Sequence, residues 1–167
     1  AVDLAYGQRD HRLRLQFGRL DITAEELEGR NQRSALFKTM FLAFRAAGAK
    51  DWRSHLAIAL DHSGSQHRLQ FHHIFPKALL RGSYTPREAD DIANLAFIGG
   101  KTNRAISDKA PVTYLLPLVA QHGAAPFAAQ CIPVEEELLA LDHYKAFLQE
   151  RRKRIAAALN AFIHAVA

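Results

Sequence analysis

The stretch Phe71-His72-His73-Ile74-Phe75-Pro76-Lys77 constrains this chain more than any other. It continues Arg68-Leu69-Gln70-Phe71, whose alternation has the period of a half-buried strand. Pro76 ends the run, because its fixed φ and missing N–H suit a turn or a helix start, and residues 77–80 are expected to form a short helical turn. Thr85-Pro86-Arg87-Glu88 is a capping box with Pro at the first helical position, so a helix should run from there to about Ile92. A second apolar run, Leu95 to Ile98, stops at Gly99-Gly100, and Lys101 to about Ser107 should again be helical. Residues 67–109 therefore read as strand, strand, helix, with a small helical insertion.

The flanks carry helical periodicity. Thr23 and Glu26 form another capping box, which predicts a short helix. Leu36, Phe37, Met40, Phe41 and Phe44 recur at spacings of three and four, giving an amphipathic helix over about 32–47 that ends near Gly48. Such a stripe is ordinarily core, and Trp52 reads as an anchor packing on that core. Pro111 should begin a further helix, and Pro117 should kink or split it. Tyr144, Leu148, Ile155, Leu159 and Phe162 mark a final helix over about 142–165. Residues 12–17 alternate as a strand, with Leu13, Leu15 and Phe17 on one face and the charges of Arg12 and Arg14 on the other. The expected fold is α+β and mostly helical, a single domain with a small ββα unit embedded between helical flanks at 21–60 and 111–166.

At 167 residues and 49% hydrophobic content the chain is long enough to bury a core. The lone Cys131 excludes an intrachain disulfide and a multi-thiolate zinc site, which suits a reducing, cytoplasmic compartment. No apolar run approaches the roughly 20 residues of a membrane span, so no membrane partner is expected. Beginning with Ala instead of Met, the chain reads as a piece of a longer protein. Its net charge of +5 is unevenly spread: residues 67–109 and 142–154 each carry +3, and residues 110–141 carry −3. Positive charge around the histidine stretch favours a phosphate-bearing partner. Glu135-Glu136-Glu137 suggests a cation site less than a helix start, since consecutive side chains point in different directions.

Adjacent histidines ending a strand, an Asn opening a short apolar strand, and a Gly-Gly turn into a helix bearing a second Asn resemble the HNH, or ββα-metal, endonucleases. The wording of residues 72–80, 91–103 and 106–111 resembles in particular the C-terminal HNH domain of GmrSD-type modification-dependent restriction proteins. The resemblance implies that His73 is the general base, one ring nitrogen held by an acceptor expected to be a loop carbonyl, and that Asn94 orients the loop. It implies that His72 and Asn103 hold one divalent metal ion, with Mg²⁺ first and Mn²⁺, Ni²⁺, Co²⁺ or Zn²⁺ as alternatives. Lys77, Lys101 and Arg104 are candidate DNA contacts, although exposed helical cations are commonly just solvated. Arg151, Arg152 and Arg154 form a basic band that reads equally as DNA backbone contact or as a solvated face. The implied activity is hydrolysis of DNA phosphodiester bonds, in restriction or defence against foreign or modified DNA. The implied partners are DNA, an N-terminal nucleotide-binding regulatory domain missing from this chain, and a second copy in a homodimer. The competing reading is a nucleic-acid-binding or assembly module that keeps the HNH fold and does not cut.

Overall fold

The alternating run folds as β1, Leu69–His73, and the second apolar run as β2, Leu95–Gly99. The two pair antiparallel in a two-stranded sheet, with Phe71 opposite Phe97 and His73 opposite Leu95. This computed structural model describes residues 21–62, 64 and 66–166, so the strand expected over residues 12–17 lies outside the described residues. The architecture is α+β and mostly helical. In chain order the helices are α1 (Ala35–Ala46), α2 (Lys77–Leu80), α3 (Pro86–Ala89), α4 (Gly100–Ile106), α5 (Pro111–His122), α6 (Ala125–Ala128) and α7 (Tyr144–Val166). Among the described residues, no helix is long and apolar enough to cross a membrane.

The sheet is held between α1 and α7. Ser34 caps α1, its hydroxyl accepting from Phe37 N at 3.2 Å, and the helix turns Phe37, Phe41 and Phe44 onto Phe97 of β2 with ring centroids 5.0, 5.3 and 6.1 Å away. On the other side Phe75, just past β1, packs between Tyr144 and Phe147 of α7 at 5.0 and 4.9 Å. These contacts belong to one continuous core that includes Trp52, fully buried as an anchor should be.

Local chemistry explains where elements depart from the periodicity. The Thr23–Glu26 box forms reciprocally, at 2.8 and 3.3 Å, yet yields only a 3₁₀ turn at Glu25–Leu27, because Gly29 follows at φ +65° and turns the chain away. The Thr85–Glu88 box also forms, but α3 ends at Ala89. Asp91 then caps a separate 3₁₀ turn, Ile92–Asn94, by accepting from Ala93 N at 2.8 Å. Of the two outcomes expected at Pro117, a kink or a split, the split does not occur: α5 runs through it. Pro117 and Thr113, whose carbonyl loses its helical donor, are both exposed, so water can serve that carbonyl.

The basic band is corrected most sharply. Arg151 is 0% exposed and touches no solvent: Nη1 donates to Ala93 O at 2.7 Å and Leu95 O at 2.8 Å, and Nη2 to Gln130 O at 3.1 Å. Burial lowers its pKa to about 10, yet it stays charged near neutrality. The guanidinium thus ties α7 to both ends of the turn entering β2. Arg152 is committed to Asp91 at 2.6 Å, and Arg154 to Glu135 at 2.7 Å and Glu150 at 2.8 Å. Arg151 is no DNA contact, and its two neighbours spend their charge on carboxylates. Replacing Arg151 by Ala strands three carbonyls and should cost at least about 3 kcal/mol, whereas Arg154→Ala should cost under about 1 kcal/mol, both read from urea unfolding followed by circular dichroism.

Candidate active site

The end of β1 is shaped by one amide. Asn94 is fully buried; its Oδ1 accepts from Phe75 N at 2.8 Å, and its Nδ2 donates to Phe75 O at 3.0 Å and to Ala89 O at 2.9 Å. Its own carbonyl accepts from Ile74 N at 2.8 Å. The loop after the histidines is thereby closed onto the turn that starts β2. Loop orientation is the role that the resemblance implies for Asn94, and these are the hydrogen bonds its side chain makes.

Successive strand side chains leave on opposite faces, so the two histidines acquire different surroundings. His73 is half-buried and donates from Nε2 to Asp90 Oδ1 at 2.9 Å, and Lys77 Nζ reaches the same oxygen at 2.6 Å. The acceptor is a carboxylate, not the loop carbonyl expected from the sequence. Burial works against the charge on Asp90, but the hydrogen bonds from Lys77 and His73 outweigh it and hold the carboxyl below its ordinary value. Asp90 is therefore ionised and accepts the Nε2 proton, which leaves Nδ1 of His73 as the lone-pair nitrogen. Burial lowers the His73 pKa; the Asp90 bond opposes this and the Lys77 cation adds to it. A neutral imidazole with one nitrogen fixed and the other open is equipped to take a proton.

His72 faces the interior at 2% exposure, edge-on to Trp52 with ring centroids 5.7 Å apart. Its Nδ1 lies 2.8 Å from Asn103 Oδ1 on α4, and its Nε2 lies 3.1 Å from the Tyr114 hydroxyl on α5. Burial, opposed by the Asn103 contact and reinforced by the nearby charges of His73 and Arg151, lowers its pKa to about 4. Two neutral donors 2.8 Å apart are close to the roughly 3 Å edge that neighbouring ligands of a small octahedral cation span. Among the described residues, no group of three or more His, Cys, Asp or Glu side chains is gathered to hold a metal ion. Any cation held by His72 and Asn103 would rest on two uncharged ligands and keep its full charge for an anion.

The chain matches no family model, no curated protein and no solved structure.

The remaining predicted residues divide. Lys101 and Arg104 are exposed on either side of Asn103; Lys101 lines a hollow with Arg53 and His67, and Arg104 lines another with Asn103, Arg68 and Gln70. Lys77, expected at DNA, pairs instead with Asp90. Three residues escaped the sequence reading. Asp90 and Tyr114 hold the histidines, and Asp51 holds the helix that carries Asn103. Asp51 is buried, its Oδ1 accepting from Ser54 N at 2.7 Å and Thr102 Oγ1 at 2.7 Å, its Oδ2 from Gly99 N at 2.7 Å. No periodic signal distinguishes Asp51 or Asp90 from other loop acids; Tyr114 sits on the buried side of α5 and reads as ordinary core.

Two measurements follow. With chelator present, His72 binds no proton in the native state between its unfolded value of 6.5 and its native value of about 4, while the unfolded chain does. Stability should be undiminished above pH 6.5 and lost towards pH 4, at up to about 1.4 kcal/mol per pH unit from this residue, and His72→Gln should remove that component in denaturant titrations. For His73, Lys77→Gln removes a cation that lowers its pKa and Asp90→Asn removes an acceptor that raises it. The two variants should therefore move the His73 midpoint in opposite directions, up and down respectively, in an NMR titration.

Proposed function

We propose that this chain is a metal-dependent endonuclease of the HNH kind, hydrolysing DNA phosphodiester bonds. The observation that carries the reading is what the end of β1 holds: His73, neutral and oriented by Asp90, and in the preceding residue a neutral donor pair, His72 and Asn103, that lie 31 positions apart in sequence and 2.8 Å apart in space. On this reading β1, β2 and α4 would be the two strands and the helix of a ββα-metal unit. Its basic hollows, bordered by Lys101, Arg104 and Arg68, receive the phosphate backbone.

On this reading His73 Nδ1 takes a proton from the water whose oxygen attacks phosphorus, and the 3′ oxygen departs with the P–O bond's electron pair and takes a proton from solvent water, leaving 5′-phosphate and 3′-hydroxyl ends. Asp90 stabilises the imidazolium formed at that moment, and Lys77 keeps Asp90 ionised. Asn94 keeps the loop from drifting while this happens. His72 Nδ1 and Asn103 Oδ1 would hold a divalent cation, which when bound supplies positive charge to the phosphate and the departing oxygen. A place in restriction or defence, and regulation by a nucleotide-binding domain, rest on the likeness to GmrSD-type proteins alone.

Nicking of supercoiled plasmid by the wild type and His73→Ala, in Mg²⁺, Mn²⁺, Ni²⁺ or EDTA, tests the proposal. Relaxed circles should form only with metal, and His73→Ala should be at least about 100-fold slower. Equal cutting by the variant would remove His73 from the chemistry. No cutting of modified or unmodified plasmid by either protein would favour a module that binds nucleic acid without cleaving it.

A further inference from the structure

The Tyr114 hydroxyl occupies a position that the proposed chemistry has not used. It is inside the core, between the Ile74 carbonyl at 2.9 Å and His72 Nε2 at 3.1 Å, and Tyr114 itself is 5% exposed. A phenol has one proton to give. The Ile74 carbonyl can only accept, and Ile74 is 0% exposed, so no water can replace the phenol there. If the proton turned to His72 instead, the phenol and carbonyl oxygens would oppose lone pairs at 2.9 Å in the core. The arrangement in which both neighbours are satisfied has the phenol donating to Ile74 O and accepting from Nε2–H.

That choice fixes the other side of the ring. A neutral imidazole with its proton on Nε2 has a bare lone pair on Nδ1, and Nδ1 faces Asn103 Oδ1 at 2.8 Å. Two acceptors at that distance with no proton between them repel each other, and a cation drawn to both relieves the repulsion. Without a cation, Asn103 would have to turn its amide N–H to Nδ1. Resting on the reading of His72 and Asn103 as metal ligands, we propose that Tyr114 is a positioning residue that holds His72 as the Nε2–H tautomer and so makes Nδ1 its ligating atom. Trp52 supports the assignment by stacking on Tyr114 at 6.4 Å and meeting His72 edge-on, which restrains both rings. The general pattern, a ligand imidazole whose second nitrogen is committed to a hydrogen-bond partner, is common at metal sites; here the partner is a phenol relayed to a backbone carbonyl.

The test uses the full 167-residue chain. Long-range ¹H–¹⁵N NMR in chelator reads the His72 tautomer in the wild type and in Tyr114→Phe. Calorimetric titration with Ni²⁺ then reads metal affinity as the difference from His72→Ala, which removes this site but leaves the surface pair His55 and His122, whose ring nitrogens lie 3.2 Å apart. The wild type should show Nε2–H. Tyr114→Phe should move the proton to Nδ1, facing Asn103, and weaken Ni²⁺ binding by about tenfold to a hundredfold. A wild type with Nδ1–H overturns the inference whether or not the variant folds, as does a folded variant with unchanged tautomer and unchanged Ni²⁺ affinity. A wild type that shows Nε2–H but binds no more Ni²⁺ than His72→Ala sinks the metal reading of the site while leaving the tautomer in place.

Discussion

Everything at this site depends on the Asn94 side chain. A carboxamide offers one acceptor and two donor hydrogens in a plane, and here it meets both polar groups of one residue, Phe75, while its second hydrogen reaches the end of α3. No other side chain of that length can imitate a backbone strand in this way; Asp lacks the donors, and Gln would displace the pairing by a methylene. Because Asn94 is wholly buried, any of these groups left unmade would carry its desolvation penalty. The clamp thus fixes the exit of β1, and with it the placement of His73 against Asp90, which stands next to the turn that Asn94 itself closes.

How much of this was legible depends on what each residue announces in one dimension. The two strands, the turn at Gly99 and the helix bearing Asn103 are written in short-range patterns of apolar alternation and glycine, and they fold where those patterns lie. Both capping boxes form, but a box sets only a beginning; where a helix ends is decided by Gly29 in one case and by Asp91 in the other. Arg151 shows how composition misleads. In a run of four basic residues it looks like surface, yet it falls three positions after Leu148 and four before Ile155, in register with the buried stripe of α7. Its register, not its charge, located it. Asp90, Asp51 and Tyr114 gave no such hint, because the histidines, the Ile74 carbonyl, Gly99 and Thr102 that they hold lie 17 to 51 positions away and only the folded chain joins them.

The two histidines illustrate how one residue type is set to two tasks by surroundings alone. His72 is enclosed by aromatic rings and neutral polar groups, and the buried guanidinium of Arg151 further disfavours a proton on it. His73 sits nearer the surface against an ion pair, where a transient positive charge has a ready counterion. A histidine held uncharged in the core and one placed against a carboxylate are thus adjacent in sequence and leave opposite faces of the strand.

The buried carboxylate of Asp51 links parts of the chain that the sequence keeps apart: the segment at Ser54, the last residue of β2 and the first turn of α4. A single opening that exposes Asp51 to water would release all of these at once, since each of their anchoring groups shares the same two oxygens. In native-state hydrogen exchange such a set behaves as one foldon, with common protection and common loss. Asn103 rides on that unit, so the pocket at His72 can be dismantled by a local excursion that leaves α7 and the aromatic core intact. The pocket at His72 thus answers to that carboxylate and its donors as well as to the clamp at Asn94.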